Sequence, residues 1–464
     1  MKKILITTLG IAAAMPMFAQ KEITPQMLQQ FRSSYKSIGV NKALDNAVQA
    51  NDLKVLAINN ETMAQFDANF SHKVNTKGGG TTNQKSSGRC WLFTSLNVMR
   101  AQMIAKYNLG AMEFSQNYCF FYDQLEKSNL FLQAIIDNGK KPMDDRTVTW
   151  LFQNPLSDGG TFCGAIDIIS KYGIVPSTVM PETFSSNSTS TYSTLLKTKL
   201  REYGLTLRKM IAEGKSDKQL MAKKQEMLGV VYRMLVRCFG EPPQDFIYTL
   251  RDANNKVIST KAYSPQSFYQ EHIGIDLKNN YLMFMNDPSR EYYKTYEIDL
   301  DRHSYDGNNW IFLNIPMKEI KDMAIASIKD STMLYMSCDV NKCYDSKRGY
   351  SDPDVFNYGE IFSTTFPMDK KERIETFASA STHAMTLMAV DLDEQGQPKK
   401  WMVENSWGST SGYKGHIIMT DKWLDEYLFR LVVAKKYVPA KLAELMKQKP
   451  TLLPAWDPLF AGEE

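Results

Sequence analysis

Metal-ligand spacing is what this sequence most plainly lacks. Its six cysteines form no Cys-x-x-Cys pair and its five histidines no His-Glu-x-x-His, so a zinc site has little to be built from and no metal or other cofactor is expected. Charge of one sign is scarce as well. The formal net charge is +4, and +2 without Lys2 and Lys3, too little to expect nucleic acid or an anionic membrane as partner. The basic run from Lys197 to Lys224 is interleaved with apolar residues at helical spacing, as on a solvated helix face. Beyond the N-terminus no segment approaches the 18 apolar residues that suggest a transmembrane helix. Internal repeats and low-complexity tracts are also missing.

What is present fits a soluble globular protein: 43% hydrophobic and 23% charged residues, with 23 Tyr and 23 Phe to fill a core. A chain of 464 residues suffices for one large domain or two ordinary ones. Residues 1–19 read as a secretory signal. Lys2 and Lys3 precede the apolar stretch Ile4 to Ala14, and Ala19 supplies a small residue at a cleavage point. The expected location is periplasmic or secreted. In such a compartment the cysteines at 90, 119, 163, 238, 338 and 343 either form disulfides, with Cys338 and Cys343 the nearest pair, or stay buried thiols.

Helical patterns fill the first half of the chain and short strands the last third, which predicts an α+β fold. A polar arm, residues 20–80, ends in Gly78-Gly79-Gly80. After Cys90, the residues Leu92, Leu96, Met99 and Met103 recur at helical spacing, so Cys90 heads a core helix. Further helices are expected over Ser115–Leu132, Gly164–Lys171, Leu195–Met210 and Lys218–Arg237, and strands over Thr382–Val390, Lys400–Asn405 and His416–Met419.

A cysteine nucleophile needs a lowered pKa, a base and oxyanion donors. The first turn of a helix supplies a positive dipole end and free N–H groups that favour thiolate. Gly88 allows the tight entry turn. His383 and Asn405 flank the turn signal Asp391–Pro398, and their midpoint, residue 394, falls inside it. In a regular hairpin the two side chains lie across from each other, so the Asn oxygen can fix the imidazole tautomer. Gln84, on the loop before the helix, could donate to the oxyanion together with the Cys90 N–H. His72, His272 and His303 stand in polar, loop-like surroundings without such a partner, and His416 reads as a structural strand residue.

These residues carry a resemblance. Asn83-Gln84-Lys85-Ser86-Ser87-Gly88-Arg89-Cys90-Trp91-Leu92-Phe93, Asp158-Gly159-Gly160, His383-Ala384-Met385-Thr386, Val403-Glu404-Asn405-Ser406-Trp407-Gly408 and Leu453-Pro454-Ala455-Trp456-Asp457-Pro458 stand in one order along the chain. The chain resembles the bleomycin hydrolase and aminopeptidase C branch of the papain-like cysteine peptidases. His383 lies 293 residues after Cys90, against about 130–150 in papain-like enzymes, which leaves room for a large insertion.

The resemblance implies a papain-like two-lobed fold with a helical insertion. Its expected parts are a helical lobe at 81–189, an inserted oligomerisation subdomain at 190–330, a β-rich lobe at 331–450 and a tail at 451–464 that enters the cleft. It implies the catalytic set Cys90, His383, Asn405 and Gln84. Gly159 and Gly160 would pair with substrate, Trp407 would cover the His–Asn bond, and the tail ending at Glu464 would meet the substrate amine. The implied activity is an aminopeptidase acting on peptides as a homo-oligomer, commonly a hexamer. An endopeptidase with an open cleft, an acyl or glutamyl transferase, and a non-catalytic peptide-binding protein are the rival readings.

Overall fold

The computed structural model describes residues 22–38, 41–75 and 81–460. Their contacts divide into two units. The smaller comprises the described residues up to Asn59 together with Phe356–Phe366. Its helices Pro25–Ser37, Lys42–Ala50 and Leu53–Leu56 each begin at a side-chain cap, from Thr24, Asn41 and Asp52. None of the three has a buried residue, and Leu28, Phe31, Tyr35 and Leu44 stand exposed. Asn357 N–H donates to Ala57 O and so ties the returning segment to this unit.

The larger unit runs from Asn60 to Val355 and from Pro367 onward. Its centre is the helix Cys90–Tyr107, in which Trp91 through Ala101 are buried on every side. A helix buried on every side lies inside a core, and its polar side chains are satisfied there: Ser95 Oγ donates to Trp91 O, Asn97 Nδ2 to Thr82 Oγ1, and Arg100 pairs with Glu404. The helix Gln116–Asp137 packs beside it and is backed by two long helices, Ser190–Ala212 and Asp217–Phe239. The helix Phe162–Tyr172 closes the cluster. Three of these helices bracket their expected spans, whereas Gln116–Asp137 starts one residue late, with Ser115 as its N-cap, and runs five residues further.

A twelve-stranded sheet faces this helical layer. In its middle, Leu428–Ala434, Leu334–Cys338, His383–Leu392 and Pro398–Glu404 lie side by side and antiparallel. Strands Tyr281–Met285, Lys294–Ile298 and Ile311–Asn314 hydrogen-bond into one flank of the same sheet. These three arise from the 190–330 stretch, so that stretch supplies sheet as well as helices. The helix Cys90–Tyr107 packs directly on His383–Leu392 and Leu334–Cys338, which brings the Cys90 segment to the strand that carries His383.

All six cysteines are free thiols. Cys338 and Cys343 are not bridged. Cys338 is fully buried in its strand, and Cys343 Sγ rests 3.7 Å from the Tyr427 hydroxyl.

Candidate active site

The loop before the helix is held by the loop after strand Pro398–Glu404. Gln84 N–H donates to Ser406 O at 2.8 Å and Gly408 N–H to Thr82 O at 3.0 Å, with Asn83 bridged to Trp407. Within the loop, Gln84 Nε2 donates to Ser87 O at 2.6 Å, and the Ser87 hydroxyl returns a bond to Gln84 O at 2.6 Å. Gly88 is required by a close approach. Its N–H donates to Asp158 Oδ2 at 2.7 Å, and a Cβ there would stand 2.5 Å from Asp158 Oδ1.

Arg89, completely buried, makes paired contacts of 3.0 and 2.8 Å with the Glu182 carboxylate. Its guanidinium also lies over the rings of Phe93 and Phe120. This bidentate, ring-flanked geometry suits Arg and not Lys. It fixes the residue before Cys90, while no side chain caps the helix N-terminus. The dipole end is therefore left to act on the thiol.

His383 opens its strand directly across from Cys338 and is 7% exposed. Nε2 lies 2.8 Å from Asn405 Oδ1. The same oxygen accepts the Ser406 N–H at 2.8 Å, which sets the orientation of the amide. Nε2 is thus the protonated nitrogen and Nδ1 the one left to serve a thiol. Burial pushes the imidazole down to about 4, with the Asn405 bond pulling it only partly back. The Trp407 ring lies 4.8 Å from the His383 ring at 30° and packs over it. Burial, then the charges of Asp339 and Cys90, push the Cys338 thiol well up, so it stays protonated.

Gln84, His383, Asn405 and Trp407 thus come together, and the Cys90 helix packs on the His383 strand, but the hairpin pairing differs from the expected one. The observed register pairs Thr386 with Glu404, so the position across from Asn405 is Met385 and not His383. Bulges at Leu387/Ala389 and Asp391/Leu392 displace the pairing from the simple midpoint. His383 and Met385 share a face of the strand, and the bond to Asn405 is diagonal. Two histidines also differ from expectation. His272 is buried among aromatic rings, and His303 is buried with its Nδ1 2.6 Å from Asp123 Oδ1. Three residues at the site were not anticipated: Arg89, Asp158, and Ser406, whose Oγ donates to Gln84 Oε1 at 2.5 Å.

Asp158 leads into Gly159 and Gly160, and Trp91 Nε1 donates to Asp158 O at 2.9 Å. Both glycines line a cavity of about 260 Å³ that Phe460 also borders. Phe460 is held against Arg430, the ring 4.8 Å from the guanidinium, and Asp457 pairs with Arg290 at 2.5 Å. Glu464 lies outside the described residues.

A model of the Peptidase C1-like family matches residues 22–460. Bleomycin hydrolase of Rattus norvegicus is 36% identical over 424 residues, covering 90% of this chain and 93% of that protein. Aminopeptidase C of Lactobacillus delbrueckii subsp. lactis is 34% identical over 446 residues, 95% and 98% of the two chains. The crystal structure of PepW from Lactobacillus rhamnosis HN001 matches with a TM-score of 0.91 at 36% identity, over 95% of this chain and 99% of that one. On these likenesses the chain belongs to the Peptidase C1-like family of papain-like cysteine peptidases.

Proposed function

We propose that this protein is a cysteine aminopeptidase that releases N-terminal residues from peptides. The observation that carries the reading is the 2.8 Å bond from His383 Nε2 to Asn405 Oδ1, on a strand packed against the Cys90 helix. The Cys90 thiolate attacks the carbonyl of the first peptide bond. The Cys90 N–H and the second Nε2 hydrogen of Gln84 receive the oxyanion. His383 gives its proton to the departing amine, then as neutral base activates the water that cleaves the thioester. Trp407 keeps water from the His–Asn bond.

In this reading the segment after Phe460 reaches the cleft and its carboxyl end meets the substrate amine. The cavity shared by Gly159, Gly160 and Phe460 supports that placement. The names of the bleomycin hydrolase and aminopeptidase relatives support the exopeptidase direction. The exposed apolar residues of the N-terminal helices support assembly into a homo-oligomer, and residues 1–19 support export.

Purified protein should cleave peptides with free N-termini and spare their acetylated counterparts. Cys90→Ala should abolish turnover. Cleavage of the acetylated set at equal rate would replace this reading with an endopeptidase, and turnover by Cys90→Ala would end the cysteine mechanism.

A further inference from the structure

The peptide joining Gly159 to Gly160 has unequal surroundings at its two polar ends. Gly159 O accepts from Lys127 Nζ at 2.6 Å, and the same ammonium donates to Ser157 O at 3.1 Å. In a trans peptide the C=O and N–H point in opposite directions, and no cis bond is present among the described residues. The Gly160 N–H therefore points away from Lys127, and among the described residues it meets no backbone acceptor.

Lys127 is itself fixed from behind. Asp123 Oδ2 lies 3.1 Å from its Nζ, and the other Asp123 oxygen is 2.6 Å from His303 Nδ1. Asp123 is fully buried and carries both contacts, while the Trp91 ring lies 5.3 Å from Nζ. The His303 ring presses on Gly160 from the side, where a Cβ would come within 2.2 Å of its Cε1. Trp91 packs edge-on to that ring at 4.8 Å. The glycine peptide is thus clamped by three side chains, one of them a cation on its carbonyl. A positive charge at a carbonyl oxygen draws electron density from the N–H across the peptide and makes it a stronger donor.

We propose that Lys127 is a positioning residue of the peptide-binding strip, whose ammonium on Gly159 O fixes and polarises the Gly160 N–H for a carbonyl or carboxylate oxygen bound in the cleft. This rests on the reading of Gly159–Gly160 as the strip that pairs with substrate. The oxygen has two possible sources, the acyl carbonyl of an extended peptide or the carboxyl end of the chain itself.

The test is Lys127→Met in the full-length protein, with Lys127→Arg as the conservative control. Three quantities are read: KM for an aminoacyl amide, the inhibition constant of its N-acetyl counterpart, and the rate of Cys90 alkylation by iodoacetamide. One of the two binding constants should rise about tenfold, the worth of one charge-assisted hydrogen bond. Alkylation should be unchanged, and Lys127→Arg should recover most of the loss. A rise confined to the acetylated compound identifies the substrate carbonyl, and a rise in KM identifies the chain's own carboxyl end.

A folded Lys127→Met with both constants unchanged overturns the proposal. So does a parallel fall in alkylation, because Lys127 would then act on the nucleophile. If Lys127→Met does not fold, the double variant with Asp123→Asn removes both buried charges and carries the same readouts. Failure of the peptidase reading is separate, and would show as wild-type protein that cleaves no aminoacyl amide.

Discussion

Gln84 is held at both ends of its amide. Oε1 accepts from Ser406 Oγ, and Nε2 commits one hydrogen to Ser87 O. Replacing it by Ala should lower kcat roughly 10²–10³-fold, the usual loss for one oxyanion donor, with iodoacetamide alkylation of Cys90 unaffected. Steady-state kinetics beside alkylation rates would check this. At this scale Cys90, Gln84, His383 and Asn405 stand out in the sequence because they lie in contiguous motifs. Asp158 and Glu182 were not. Asp158 reaches Gly88 across 70 residues of chain, and Glu182 reaches Arg89 across 93. Nothing local in the sequence marks either carboxylate as a partner. His303 was misread for the same reason, since its polar neighbours in sequence gave no sign of Asp123, 180 residues away.

Among the elements, the two central helices and the hairpin strands were predictable from periodicity, whereas the hairpin register was not. Bulges are decided by packing on both faces of the strand, and periodicity cannot report them. The short helix Lys370–Glu375 shows how an element is pinned by one side chain. Lys370, within this helix and buried, donates to Asn286 Oδ1 at 2.7 Å, Asp425 O at 3.0 Å and Leu428 O at 2.6 Å. Burial pushes the amine down to about 7, yet three acceptors suit an ammonium with three hydrogens. Lys370→Met would strand those acceptors and should cost about 3 kcal/mol or more, measurable by denaturant unfolding.

For the whole molecule, acid is the predicted weakness. Burial lowers the pKa of His272 to about 4, that of His383 to about 4, and that of His416 as well. A group whose folded pKa lies below its unfolded value takes up protons preferentially in the unfolded chain. Stability should therefore fall as pH drops from about 6.5 toward 4. His272 Nε2 has no hydrogen-bond partner and the ring packs on Phe268 and Tyr107. His272→Phe should keep that packing and shrink the difference in Tm between pH 7.5 and 5. An unchanged difference would place the acid sensitivity elsewhere.

The pairing of Thr82–Gln84 with Ser406–Gly408 also bears on when the protein becomes active. It joins positions 322 residues apart, Gln84 to Ser406. Long loops close slowly during folding, and the N-terminal part of a chain is synthesised first. A growing chain thus carries Cys90 through most of synthesis before His383, Asn405 and Ser406, the partner of Gln84, exist. On the mechanism proposed above, peptide cleavage waits until the last quarter of the sequence has formed this pairing.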